Sequence, residues 1–284
     1  MSRIVVGQEN ATPIELYYED HGSGTPVVLI HGWPLSGASW EKQVGALLAA
    51  GHRVITYDRR GFGQSSKPSV GYDYGTFAED LHKLILRLDL RDCALVGFSM
   101  GGGEVARYLG LHGHERISRA VFLSAITPCL LKSAANPDGV DGSHFKDTQA
   151  GVTKDRLAFL SAFFAKFFNV DVLGGGLVSD EVVRSCWNIA AGASPKGTLD
   201  CVSAWLADFR KDVAGIDIPT LIMHGDEDRI LPAAATAIPL SKLIRGARLV
   251  MVPGGPHGIT WTHADQVNHE LLAFLKQRTS VAVV

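Results

Sequence analysis

No stretch of this 284-residue chain reaches 18 consecutive apolar residues, and the opening MSRIVVGQEN has no apolar core of the signal-peptide kind. Neither a membrane span nor a secretory leader is expected, since each needs an uninterrupted apolar segment. Clusters of Lys and Arg are missing too. The 27 basic and 29 acidic residues nearly cancel, to a formal charge of −2, so nucleic acid and anionic membranes are poor partners. Only four cysteines occur, Cys93, Cys129, Cys186 and Cys201, with no CxxC pair and no histidine at finger spacing. That argues against a zinc finger or a disulfide scaffold and predicts reduced, buried thiols in a cytoplasmic protein. Low-complexity tracts and internal repeats are absent. What remains, 46% hydrophobic and 20% charged residues, is the composition of an ordered globular protein with a large core.

The apolar residues come in short, β-branched runs: VVLI at 27–30, RVITY at 53–57, CALVGF at 93–98, RAVFL at 119–123, PTLIM at 219–223 and ARLVMV at 247–252. They do not alternate with polar residues, as expected of strands buried on both faces. Helical patterns lie between them. SWEKQVGALLAAG opens on Ser39 as a cap and closes on Gly51; FAEDLHKLILRLDL sets Leu81, Leu84, Ile85 and Leu88 on one face; HADQVNHELLAFLKQ ends the fold. Alternating strands and helices predict a mainly parallel α/β sheet, with RIVVG and IELYYEDHG as an antiparallel edge. From about Thr127 to Val213 the alternation stops. A turn-rich NPDGVDGSHFKDTQ is followed by RLAFLSAFFAKFF, LGGG and SDEVVRSCWNIAA, read as a helical insertion over the sheet. The expected division is a core of residues 1–126 and 214–284 with a cap of 127–213.

One hydroxyl stands out. GFSMG, inside LVGFSMGGGEVARY, is a G-x-S-x-G motif with a strand before it and a helix after it. That is the setting of a nucleophile elbow, which holds a serine in strained dihedrals above the end of a strand. Larger side chains at Gly97 and Gly101 would collide with the tight turn. Ser99 is therefore the candidate nucleophile, and it needs a base and an orienting acid, in the order Ser, acid, His. LIMHGDEDRILP supplies Asp226, Glu227 and Asp228 at a strand end, and VPGGPHGITW carries His257 in the loop after the last strand. His263 and His269 fall on the final helix pattern, where a solvated role is expected. Residue chemistry alone leaves Asp226 and Asp228 both open as the acid. The oxyanion donors are expected to be the N–H of Met100, just after the nucleophile, and that of Trp33 in LIHGWPLSG, where Gly32 permits close approach.

The chain resembles the α/β-hydrolases, and closely the cofactor-free (non-heme) haloperoxidases, which are also aryl esterases and perhydrolases. The resemblance is carried by YYEDHGSGTPVVLIHGWPLSGASWE, VITYDRRGFGQSSKPSVGYDYGTFAEDL, LVGFSMGGGEVARY, LLKSAANPDGVDG, LIMHGDEDRILP and PHGITWTHADQVNHELLAFLK, and covers nearly the full length. It implies a mainly parallel eight-stranded sheet with helices on both faces and a helical cap. It implies the triad Ser99, Asp228 and His257, with Trp33 and Met100 as oxyanion donors. It also implies no metal or prosthetic group, small esters or carboxylic acids and hydrogen peroxide as reactants, and a homo-oligomer. One local departure is Gly102 in GGGE. The acyl pocket is expected among Trp33, Phe159, Phe163, Ile230, Leu231 and Ile259, with core packing an equal reading for the two phenylalanines.

Three other activities fit the same residues: a lactonase or lactamase, a C–C hydrolase with this triad, and a non-catalytic small-molecule receptor. Dehalogenase and epoxide-hydrolase chemistry need an aspartate where Ser99 stands.

Overall fold

The computed structural model describes residues 2–277. Eight strands form one sheet in the order β1-β2-β4-β3-β5-β6-β7-β8. They are β1 (Ser2–Glu9), β2 (Thr12–His21), β3 (Pro26–Ile30), β4 (Arg53–Tyr57), β5 (Cys93–Phe98), β6 (Ile117–Leu123), β7 (Thr220–Gly225) and β8 (Arg248–Val252). β2 runs antiparallel to both β1 and β4, and every later pair is parallel. The expected antiparallel edge and parallel interior are both present. β5 and β7 are buried along their whole length, which explains why their sequences do not alternate. β8 is equally unalternating but only half-buried, because it is an edge strand.

Eleven helices are described: α1 (Glu41–Ala49), α2 (Tyr74–Arg87), α3 (Met100–His112), α4 (Gly142–Phe167), α5 (Val170–Leu173), α6 (Asp180–Ala191), α7 (Pro195–Ala204), α8 (Arg210–Ala214), α9 (Ala237–Leu243), α10 (Ile259–Thr262) and α11 (Ala264–Lys276). α1, α10 and α11 pack together, while α2, α3, α8 and α9 form a second group; the two groups flank the sheet. Leu81, Leu84 and Ile85 are fully buried on the inner face of α2, as their spacing predicts, and each such burial is worth about 1.5–3 kcal/mol. Ser39 is not the cap expected of it. A short 3-10 turn at Gly37–Trp40 precedes α1, and Ser36 caps that turn by accepting the Ala38 N–H; the Ser39 hydroxyl donates to Ser36 O.

Between β6 and β7 lie α4 to α8, the last crossing the expected boundary at 213 and 214. Part of the segment read as turn-rich is helical. Asp141 caps α4 through the Ser143 N–H, and Phe145, Thr148 and Val152 face inward at helical spacing. α4 then breaks at Asp155, whose carboxylate accepts the Ala158 N–H and starts a second helical run. That run holds the phenylalanine-rich stretch. The four cysteines are unpaired and buried, and burial pushes the thiols of Cys93, Cys186 and Cys201 up to about 12, which leaves them inert. Among the described residues no single helix is long and apolar enough to cross a membrane.

Candidate active site

β5 ends at Phe98 and α3 begins at Met100, so the whole turn between them is Ser99. Its dihedrals are φ 54° and ψ −118°, a conformation that costs a non-glycine residue on the order of 1–3 kcal/mol. Neighbouring backbone holds it there. The Ser99 N–H donates to Leu123 O at 2.9 Å, and the Ser99 carbonyl accepts from Gly102 at 3.0 Å and Ile126 at 3.2 Å. The two motif glycines are needed for different reasons. A Cβ on Gly97 would sit 2.5 Å from Gly101 O, across the turn itself. One on Gly101 would sit 2.2 Å from Ile30 O, on the adjacent strand β3. Gly102 lets Ala125 approach to where a Cβ would be.

Three loops at the carboxyl ends of the parallel strands bring the remaining groups to Ser99. His257 Nε2 lies 2.9 Å from Ser99 Oγ, and His257 Nδ1 lies 2.7 Å from Asp228 Oδ2. Asp228 Oδ1 accepts the N–H groups of Ile230 and Leu231 at 2.9 and 2.8 Å. Burial opposes the charged form of this carboxyl, but the adjoining His257 and the hydrogen bonds from His224 and His257 prevail and hold it well below the usual carboxylate range. Asp226 is elsewhere. Its exposed carboxylate accepts the Gly254 N–H at 2.7 Å and braces the loop before His257. The geometry thus separates the two acids that residue chemistry left open.

Phe98 and Phe167 wall the imidazole of His257 on two sides, with centroids at 5.2 and 5.0 Å. Trp33 and Met100, the residues expected to supply the oxyanion donors, both line the cavity that Ser99 faces. Met100 is the first residue of α3, where an N–H has no helical acceptor, and among the described residues the Trp33 N–H takes no backbone partner. The Trp33–Pro34 bond is cis, and Leu35 N–H closes the turn onto Gly32 O at 3.0 Å. A Cβ on Gly32 would stand 2.9 Å from that of Ser99, so the close approach expected there is real. The Trp33 side chain is spent on the cap: its Nε1 donates to Thr198 O, and its ring meets Phe159, Phe163 and Trp205 edge-on.

A cavity of about 210 Å³ opens above Ser99. Trp33, Met100, Phe159, Phe163, Ile230 and Leu231 all line it. Ile259 does not. It is fully buried beneath the histidine loop, its Cγ2 3.0 Å from where a Gly255 Cβ would be. Three further phenylalanines of α4 and its end, Phe164, Phe167 and Phe168, are buried and lie outside the lining, so helical rotation divides one Phe-rich run between pocket and core. Leu130, Phe145 and Trp205 also line the cavity and carry no sequence signal that marks them. His224, beside the Asp228 carboxylate, is marked only by its spacing four residues before the acid. No group of three or more His, Cys, Asp or Glu side chains placed to hold a metal occurs among the described residues.

Comparison with known proteins agrees with this architecture. The family model described as alpha/beta hydrolase fold matches residues 25–264. A protein of Synechocystis sp. named "Putative non-heme chloroperoxidase" is 60% identical over 97% of this chain and 100% of its own length. The bifunctional esterase/perhydrolase DCH of Acinetobacter calcoaceticus is 34% identical over 93% of this chain and 96% of its own. The crystal structure of a bromoperoxidase from Bacillus anthracis superposes with a TM-score of 0.94 at 51% identity, covering 97% of this chain and 99% of that one.

Proposed function

This chain belongs to the α/β-hydrolase fold family and, within it, to the non-heme haloperoxidases, and from that premise we propose that Ser99, His257 and Asp228 carry out ester hydrolysis and perhydrolysis. The observation that carries the reading is the linked pair of contacts, Ser99 Oγ to His257 Nε2 and His257 Nδ1 to Asp228 Oδ2, at the floor of an apolar cavity. The order Ser, Asp, His and the elbow context match a hydrolase triad. Ser99 Oγ attacks the ester carbonyl as His257 removes its proton. The carbonyl π electrons move to oxygen, and the N–H groups of Trp33 and Met100 hold the resulting anion. Collapse expels the alcohol, which takes the proton from His257, and leaves an acyl-serine. Water, deprotonated by the same histidine, releases a carboxylic acid.

Hydrogen peroxide in place of water releases a peracid. The peracid passes one oxygen to bromide, giving hypobromite and returning the carboxylate; bromide loses two electrons and the O–O bond accepts them. No protein-bound redox group is required for this step. The substrates are small carboxylic esters and acids that fit the cavity, supported by its aromatic and aliphatic lining.

The test combines two assays on one preparation. Wild type should hydrolyse p-nitrophenyl acetate, and in acetate buffer with hydrogen peroxide and bromide it should brominate monochlorodimedone. Ser99→Ala should lose both. Bromination equal in wild type and Ser99→Ala would remove the perhydrolase half of the reading, and equal hydrolysis would remove all of it. The proposal extends to a cytoplasmic homo-oligomer, supported by the family resemblance and the unpaired cysteines. Light scattering gives the particle mass, and a monomer at micromolar concentration would remove the assembly.

A further inference from the structure

Asp228 Oδ2 faces two imidazoles. His257 Nδ1 is 2.7 Å away, and the Nε2 of His224, the penultimate residue of β7, is 3.2 Å away. His224 is completely buried. Its Nε2 also lies 2.7 Å from the carbonyl oxygen of Leu231. Both neighbours of Nε2 are acceptors, so that nitrogen carries a hydrogen. Among the described residues the His224 Nδ1 has no partner, and the ring is turned so that the Nε2–H sits between the Asp228 carboxylate and the Leu231 carbonyl. Leu231 closes the circle: its own N–H donates to Asp228 Oδ1, and its side chain lines the cavity.

Among the described residues no other charged side chain contacts the carboxylate. Asp226 and Glu227 are exposed, Asp226 being bound to Gly254 N–H, and Arg229 turns outward to Asp171 at 2.7 Å. Phe98 and Phe167 cover the His257 ring. The polar surroundings of the carboxylate are therefore two backbone N–H groups and two histidines.

We propose that His224 is a positioning residue, which fixes the Asp228 carboxylate against His257 and draws off part of its negative charge. The proposal rests on the triad reading above. Two consequences follow. Without the His224 N–H, Leu231 O loses its buried donor and the 228–231 turn loosens. The carboxylate charge then falls more fully on His257, which holds its proton more tightly, so the base form requires a higher pH.

The informative pair is His224→Gln and His224→Asn. The longer amide can place an N–H where Nε2 stands; the shorter one reaches only the position of Nδ1. Both are polar and smaller than histidine, so packing loss is shared. With p-nitrophenyl acetate, His224→Asn should lower kcat/KM by about tenfold to a hundredfold, the worth of a hydrogen bond to a charged group. Its acid limb in the pH profile of kcat/KM should move to higher pH. His224→Gln should return both toward wild type. Thermal melting of the two variants checks that they fold alike, and the low-field proton resonance of the His257–Asp228 hydrogen bond gives a second readout in either variant. An acid limb unmoved in His224→Asn, or the same loss in both variants, would overturn the proposal. Ser99→Ala in the same assay separates the layers. If it is inactive while His224→Asn matches wild type, only the role of His224 falls; if it keeps wild-type turnover, the triad reading falls with it.

Discussion

The floor and the roof of the cavity are built differently. The floor consists of loops at the ends of β3, β5, β7 and β8, and each of its groups is held by a specific backbone hydrogen bond or by a glycine that admits no side chain. The roof consists of α4, its continuation and Trp205, which touch the cavity through aromatic rings in edge-on contact. A backbone hydrogen bond has one geometry; an apolar contact can be replaced by another of similar volume. Floor residues should therefore decide whether the reaction occurs, and roof residues which substrate it accepts.

The largest effects should come from the floor. Ser99→Ala should reduce hydrolysis of any ester at least about a thousandfold, whatever its acyl length, because one missing triad member disables the whole unit. Asp228→Asn should cost about ten thousandfold through the wrong His257 tautomer, whereas Asp226→Asn should stay within about threefold, since Asp226 only braces a loop. Steady-state kinetics on p-nitrophenyl acetate, butyrate and hexanoate provide the check. A loss that depends on acyl length would break the division.

The roof prediction is smaller and different in kind. Phe159 is partly buried, packing between Gly151 and Trp33 at the cavity wall. Phe159→Ala should raise the hexanoate-to-acetate ratio of kcat/KM by about tenfold, the scale of one or two methylenes in an apolar pocket, and leave acetate turnover close to wild type. An unchanged ratio would assign Phe159 to packing alone.

Legibility in the sequence follows the same line. The six interior and edge runs, the elbow and the histidine loop were readable because each needs particular residue types: β-branched runs, paired glycines, a serine, an acid and a histidine in fixed order. In the roof, Phe159 and Phe164 are the same residue five positions apart, and only the rotation of a helix whose start was hidden by the break at Asp155 sends one to the cavity and the other to the core. Nearness to His257 in sequence suggests a pocket position for Ile259, yet the residue is fully buried and lies outside the cavity lining. His224 is not marked in the sequence, because Asp228 reads as a triad acid without it.

Floor and roof are also tied together, which sharpens the comparison. Asn169, just beyond α4, donates from Nδ2 to Glu227 O at 2.9 Å, and Phe167 O accepts the Gly258 N–H at 3.0 Å. One cap segment thus clamps both the acid loop and the histidine loop. Asn169 has φ 56°, so Asn169→Gly keeps the backbone and removes only the side-chain bond to the acid loop, leaving the Phe167–Gly258 bond in place. It should lower kcat/KM about fivefold, the worth of one neutral hydrogen bond, and equally for acetate and hexanoate. Unequal losses would show that the clamp belongs to the roof's selectivity.

The smallest effect on turnover, and the most informative about the floor's stability, concerns His31. This ring is completely buried beneath the Trp33 turn. Its Nε2 accepts the Arg59 N–H at 2.9 Å and its Nδ1 donates to Gly32 O at 2.9 Å, a pattern only the neutral imidazole can make. Burial first, and then the Arg59 guanidinium, push it well below the ordinary histidine range. A histidine that stays neutral in the fold becomes charged on unfolding once the pH drops below its unfolded value near 6.5. Below that point the unfolded chain binds one more proton than the folded one, so this group makes stability fall with falling pH. The slope approaches about 1.4 kcal/mol per pH unit, and the contribution is flat above about pH 7. His31→Gln supplies an acceptor for Arg59 but no titrating group. It should be less stable than wild type at pH 7.5, with activity reduced only modestly, and the gap in urea-unfolding free energy should narrow steadily between pH 6.5 and 5. Other groups titrate equally in both proteins and cancel in the difference. Parallel curves across that range would mean that His31 takes up its proton inside the fold, and the neutral ring under the oxyanion turn would have to be abandoned.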